Sequence, residues 1–207
     1  MDTNGAAVGS IAERKRQLVR DELAEAAVRL LTDQGFEQTT VDRIAAAAGM
    51  SSRTFSRYFE SKEDVLVHML AGAGAQLCTE LGARPAGEPP ALALRRALAP
   101  LTAFTAGHPS KALSVIRLIL DTPPLHARFL ERESHWEDDM TAILAERAGL
   151  DPRTDLRPAL AVGVALTAFR TALRHWVDSN GTIDMNKLLD QAFTVITPAL
   201  NLTTATR

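Results

Sequence analysis

The chain has a single cysteine, Cys78, among its 207 residues, so it can form no internal disulfide and has too few thiolates for a metal cluster. Long apolar runs are missing as well. No segment approaches the roughly 18 uninterrupted apolar residues that a membrane-spanning helix needs. The opening MDTNGAAVGSIAERKRQ lacks an apolar stretch of signal-peptide length and turns charged by Glu13. A soluble, cytoplasmic protein is the expectation. Nor is positive charge in excess. The formal net charge is −2, which gives the whole molecule no strong field for a polyanion. Catalytic signatures are absent too: there is no Gly-x-Ser-x-Gly elbow, phosphate-cradling glycine loop or His-Glu-x-x-His pair. His126 and His135 would lie over two turns apart on a helix, too far to share a metal. The reading is therefore not an enzyme, with no metal and no cofactor.

What is present is helical spacing of apolar residues, with almost no two-residue alternation. The expected fold is all-α with about nine helices, and the residues of the chain sort into a tail over 1–9, a domain over 10–60 and a larger helical domain over 61–207. A first helix is expected over about 11–34, with Leu18, Leu23, Ala26, Ala27, Leu30 and Leu31 inward, stopped by Gly35. A connecting helix over 61–81 is capped by Ser61 and carries Val65, Leu66, Met69, Leu70, Ala73 and Leu77. GARPAGEPP, 82–90, reads as a Gly/Pro-rich linker. Beyond it, helices are expected near 90–106, 110–120, 124–148, 155–178 and 185–200.

The most informative stretch is TTVDRIAAAAGMSSRTFSRYFESKEDVL, from Thr39 to Leu66. Thr39 and Thr40 open a short helix with Val41, Ile44, Ala45 and Ala48 inward, and Gly49-Met50 breaks it. Ser51 and Ser52 offer hydroxyls to cap a second helix, roughly 52–59, whose large inward groups are Phe55 and Phe59. Two short helices around a glycine turn make a helix-turn-helix, the second of which enters a DNA major groove. Arg14, Lys15, Arg16, Arg20, Arg43, Arg53, Arg57 and Lys62 concentrate here, interleaved with acids, so the positive field is a local stripe. The cluster at 14–16 reads equally as a solvated helix start or a phosphate-binding arm.

Over about residues 12–66 this arrangement resembles the TetR family of bacterial transcriptional regulators, in its Gly-Phe turn, helix-turn-helix, aromatic-ending recognition helix and Phe-x-x-Lys-Glu step. The resemblance implies a homodimer that binds a palindromic operator on double-stranded DNA and releases it on binding a small-molecule effector. It also implies the DNA contacts. Thr40 would meet a phosphate, and Ser51, Ser52, Arg53 and Thr54 would lie at the leading end of the recognition helix. Arg53 has the reach to bridge guanine O6 and N7. Tyr58 and Lys62 fall at phosphate-contact positions, although Tyr58 fits equally as a cover for the next helix junction. The tyrosine often found three residues before the second aromatic is Ser56 here, with Arg57 as a substitute contact.

The later helices are apolar on opposite sides, so each needs two partners. On 155–178 one stripe carries Leu160, Val164, Thr167, Thr171 and His175, beside a small-residue strip that includes Ala165 and Ala168. The last helix repeats the habit with Leu189, Phe193, Ile196 and Ala199. A symmetric four-helix interface between two copies is expected from Leu160, Val164, Ala165, Ala168, Thr171, Leu189, Phe193 and Ile196. The alternative is a deep core within one copy. An effector pocket is expected among Phe104, Ile116, Arg117, Leu120, Phe129, Trp136, Met140, Phe169, Arg170 and Leu173. Apolar walls with a few cations, Arg117, Arg170 and Arg174 among them, suit a lipophilic carboxylate or acyl thioester; the same residues also read as plain core with cations facing water. Rival functions are a DNA-binding activator, a regulator without ligand, and a helix-turn-helix used as a protein-interaction scaffold.

Overall fold

The computed structural model describes residues 11–200, apart from the side chains of Leu66, Val67, Met69, Leu70, Ala71 and Ala199. The expected tail over 1–9 lies outside the described residues, as do the inward positions assigned to Leu66, Met69, Leu70 and Ala199. Among the described residues every regular element is a helix, ten in all. They are α1 (Ile11–Gln34), α2 (Val41–Ala47), α3 (Ser52–Ser56), α4 (Lys62–Gly82), α5 (Pro90–Ala97), α6 (Ala99–Gly107), α7 (Pro109–Asp121), α8 (Pro123–Ala148), α9 (Arg157–Asp178) and α10 (Met185–Leu200). The count exceeds the expected nine because 90–106 is broken at Leu98 into α5 and α6. Pro100, in the first turn of α6, has no N–H to give the carbonyl of Arg96, and its ring would collide with that carbonyl.

The chain divides into two compact units, with the boundary between His68 and Met69 inside α4. The first unit is built on α1, α2, α3 and the start of α4, and buries Leu23, Ala27, Leu31, Ile44, Ala45, Phe55, Phe59 and Val65. Leu18, expected inward, is exposed. Phe55 and Phe59 meet with ring centroids 5.5 Å apart, which ties the recognition helix to this core. The second unit packs α9 against α10, α8 and α5, and α8 against α7. Its centre holds Leu77, Leu81, Leu94, Leu125, Met140, Leu144, Leu166 and Leu189. The segment 82–90, expected to be a linker, lies within this second unit and is pinned there. Glu88 takes Arg84 at 2.8 Å and also Arg96, while Arg147 donates to the Pro85 carbonyl at 2.9 Å.

Candidate nucleic-acid interface and effector core

Each turn of the helix-turn-helix follows from a few residues. Gly35 ends α1 at φ +83°, and buried Thr39 donates its hydroxyl to the Gly35 carbonyl at 2.8 Å. Thr40 then caps α2, its hydroxyl accepting from the Arg43 amide at 3.3 Å. At the far end of α2, Gly49 sits at φ +67°. The Met50 amide reaches back to the Ala45 carbonyl at 2.8 Å, closing a Schellman turn. Ser51 starts α3 by accepting from the Thr54 amide at 3.1 Å, and its hydroxyl also pairs with that of Thr54 at 2.9 Å. Ser52 donates to Asp42, which fixes α3 against α2. Sequence reasoning missed Asp42 in this role, although its place in the first turn of α2, ten residues before Ser52, was open to inspection.

α3 is shorter than the expected 52–59. Its last turn tightens, with the amides of Arg57 and Tyr58 bonded three residues back to Thr54 and Phe55. Arg57 and Tyr58 therefore lie beyond the helix, the guanidinium 5.0 Å from the phenol ring centroid and donating to its hydroxyl at 3.2 Å. Arg53 is exposed on α3, and among the described residues its guanidinium has no partner. Lys62 is half-buried. Its ammonium donates to the carbonyls of Phe36 at 2.6 Å and Thr39 at 2.9 Å, 3.8 Å above the Phe36 ring centroid. Two of its three donors hold the turn between α1 and α2, leaving one for a phosphate. Ser61 and Asp64 close a reciprocal cap on α4: the Asp64 amide donates to the Ser61 hydroxyl at 3.3 Å, and the carboxylate accepts from the Ser61 amide at 3.1 Å.

The eight residues expected at a subunit interface fall into two groups. Ala165, Ala168, Leu189 and Phe193 are buried within their own unit. Leu160 and Thr171 are exposed, and Val164 and Ile196 half-exposed, along an open groove of about 950 Å³ between α9 and α10. Leu156 and Val195 line it as well, at 66% and 79% exposure.

The description "Bacterial regulatory proteins, tetR family" fits residues 23–69, and the description "MftR C-terminal domain" fits residues 88–201. The HTH-type transcriptional regulator TcmR of Streptomyces glaucescens is 35% identical over 170 residues, covering 79% of this chain and 75% of TcmR. The chain belongs to the TetR family of bacterial regulatory proteins. That family is one of DNA-binding transcriptional regulators, not of enzymes. Two solved structures share the fold of this TetR-family chain. Thermus thermophilus FadR in complex with lauroyl-CoA superposes with a TM-score of 0.59 at 23% identity, over 91% of this chain and 98% of that one. Bacillus subtilis FadR in complex with stearoyl-CoA gives 0.64 at 18% identity, over 86% and 98%. Among the described residues, no helix of this TetR-family chain is long and apolar enough to cross a membrane.

In this TetR-family chain the residues expected to line an effector pocket are scattered in environment. Phe129, Trp136, Met140, Phe169 and Leu173 are buried; Ile116, Arg117, Leu120 and Arg170 are half-buried; Phe104 is exposed. Three of the cations expected at a pocket mouth, Arg117, Arg170 and Arg174, are already engaged. Arg117 donates to the Val177 carbonyl at 3.2 Å and to Asn180 at 2.8 Å. Arg174 meets Asp121 at 2.7 Å, and Arg170 meets Glu133 at 2.6 Å and Thr167 at 3.1 Å. Glu133 is the residue that sequence reasoning missed. It is 3% exposed, on the same stripe of α8 as Phe129, Trp136 and Met140. An acid at the four-then-three spacing of an apolar stripe was the available signal. Burial pushes its carboxyl above the ordinary carboxylate range, with Glu137 adding to the rise and Arg170 opposing it.

Proposed function

We propose that this TetR-family regulator is a homodimeric repressor that binds a palindromic operator and is released by a small lipophilic effector. The observation that carries the dimer is the groove between α9 and α10. An apolar surface with Leu156, Leu160, Val164, Val195 and Ile196 open to water is what a second copy would cover, in a symmetric pairing of these two helices from each subunit. Dimerisation sets two reading heads on one two-fold axis. They fit a palindrome when their recognition helices lie about 34–36 Å apart, one turn of DNA.

On each head, Arg53 projects from α3 without a protein partner and is assigned to base edges, with Ser51, Ser52 and Thr54 beside it. Thr40, Arg57, Tyr58 and the remaining donor of Lys62 are assigned to phosphates. The effector site is assigned to the second unit, in line with the acyl-CoA held by the two FadR structures. A ligand that prefers one separation of the heads over another suffices to release DNA, and α4 carries the chain from one unit into the other. Repression follows because an occupied promoter excludes polymerase.

The direct test is fluorescence anisotropy against the DNA flanking the protein's own gene, with random duplex as competitor and salt varied. Tight, competition-resistant and salt-steep binding supports the proposal. Equal affinity for both duplexes in every flanking fragment, with a monomeric mass by sedimentation, would remove both the operator and the dimer.

A further inference from the structure

Four polar atoms on α8 are sealed in the second unit without hydrogen-bond partners among the described residues, Nε of Arg132 and of Arg147, Oε1 of Glu133 and Nε1 of Trp136, and the last two belong to side chains that are themselves buried. Glu133 and Trp136 are 3% and 2% exposed. Standing three positions apart on one helix, they share a face. Buried donors and acceptors are almost always paired in folded proteins, so two orphans on buried side chains of one helix face call for a cause. Their chemistry is complementary: the indole can only donate, and the carboxylate oxygen can only accept.

The rest of the Glu133 neighbourhood is spoken for. Its Oε2 accepts from Arg170 at 2.6 Å, and the other arm of Arg170 is held by Thr167 at 3.1 Å. Phe129 stands edge-on to Trp136 with centroids 6.2 Å apart. A Cβ on Gly74 of α4 would lie 2.0 Å from Nε1 and 2.2 Å from Cδ1, so only glycine lets that helix approach this edge of the indole so closely.

We infer that Glu133 and Trp136 form the polar anchor of the effector site and select an apolar, hydroxylated ligand of phenolic type over a carboxylate or acyl thioester. This rests on the reading of the second unit as effector-binding. A ligand hydroxyl has the chemistry to pair with both atoms, its oxygen accepting from the indole N–H while its proton goes to the carboxylate. A ligand carboxylate has no proton to give Glu133 and meets it as a like charge. Of the nearby cations, Arg117, Arg170 and Arg174 are spent within the fold, while Arg132, beside Glu133 in sequence, keeps a buried Nε unpaired. A thioester carbonyl can accept from the indole but leaves Glu133 unpaired.

The test is isothermal titration of the full chain with three matched probes, 2-naphthol, 2-methylnaphthalene and 2-naphthoate, and with lauroyl-CoA. The expected result is that 2-naphthol binds at least about tenfold more tightly than either matched probe, a difference of about 1.4 kcal/mol. Trp136→Phe should erase the preference for hydroxyl over methyl. Glu133→Gln, which keeps a carbonyl acceptor and most of the packing, should retain it. Melting curves of both variants guard against loss of the fold. Lauroyl-CoA binding without any naphthol preference overturns the hydroxyl anchor and leaves the effector reading intact. No binding by any of the four overturns both. A preference that survives Trp136→Phe places the anchor elsewhere and overturns it too.

Discussion

The first unit ties its turns together with its own hydroxyls, whereas the second seals a glutamate inside and leaves an apolar groove open. In the head, Phe55 and Phe59 are buried while Thr40 and Ser51 cap α2 and α3. In the second unit, Glu133 and Trp136 lie buried with unpaired atoms, and Leu160 and Val195 face water at 57% and 79% exposure. A head that must present the same face to DNA each time benefits from internal satisfaction of every turn. Unpaired interior atoms and an uncovered apolar groove instead leave free energy to be gained from something outside the chain.

The contrast can be broken hardest at α9. Ala165→Arg forces a charge into a site 1% exposed, and should destabilise the second unit by at least about 4 kcal/mol, read as a collapse of its melting transition. Leu160→Arg, on the exposed side of the same helix, should leave the melting point of the isolated fold nearly unchanged yet halve the mass in sedimentation. An unchanged mass for Leu160→Arg takes the groove out of the dimer.

Gly74→Val should come next. Its side chain would start 2.0 Å from the Trp136 indole, and overpacking of this kind costs about 1–3 kcal/mol. Adding Trp136→Ala should restore part of the loss, and no restoration would mean that the strain lies elsewhere. In the head, Lys62→Met keeps the stem but drops the bonds to the carbonyls of Phe36 and Thr39. The half-exposed site limits the cost to about 1–2 kcal/mol. Hydrogen exchange at residues 36–39 should quicken, and affinity for operator and random duplex should fall together. Arg53→Ala should leave the melting point alone and cost about 1–3 kcal/mol at the operator only. An equal loss on random duplex would make Arg53 a phosphate contact.

The smallest effects are those of pH, and they run in opposite directions. Arg157, donating through its side chain and its amide, holds the Asp155 carboxyl down at about 2 at the start of α9. That contribution is present above the ordinary 3.8 and fades as pH falls through about 2. Glu133 is raised instead, so its contribution is full below the ordinary 4.5 and declines as pH rises through its folded value. Urea melts across pH 2–7 should show Asp155→Asn flattening the acid limb and Glu133→Gln flattening the fall at higher pH.

Much of the head was legible because its signals are local. Gly35, Gly49, Thr40, Ser51 and Ser61 each act on a backbone group within five residues. Pro100 was equally legible as a helix break at Leu98 and was passed over. The sides of α9 and α10 were not readable in the same way. A helix apolar on opposite faces has a periodicity that marks two stripes without saying which neighbour covers either. The expected interface accordingly mixed Ala165, Leu189 and Phe193, which are buried away from the groove, with Leu160, Val164, Ala168, Thr171 and Ile196, which line it.

From its sequence alone the chain was bound to be helical, with a capped helix-turn-helix near its start, because caps, glycine turns and apolar spacing act over one or two turns. Tertiary packing alone decided that Lys62 spends two donors on the α1–α2 turn and that Arg170 and Arg174 pair with Glu133 and Asp121. It alone also left Glu133 and Trp136 buried with an acceptor and a donor unmatched. Hydrogen bonds of long side chains join residues far apart in sequence, and no local pattern encodes which of them end up facing one another.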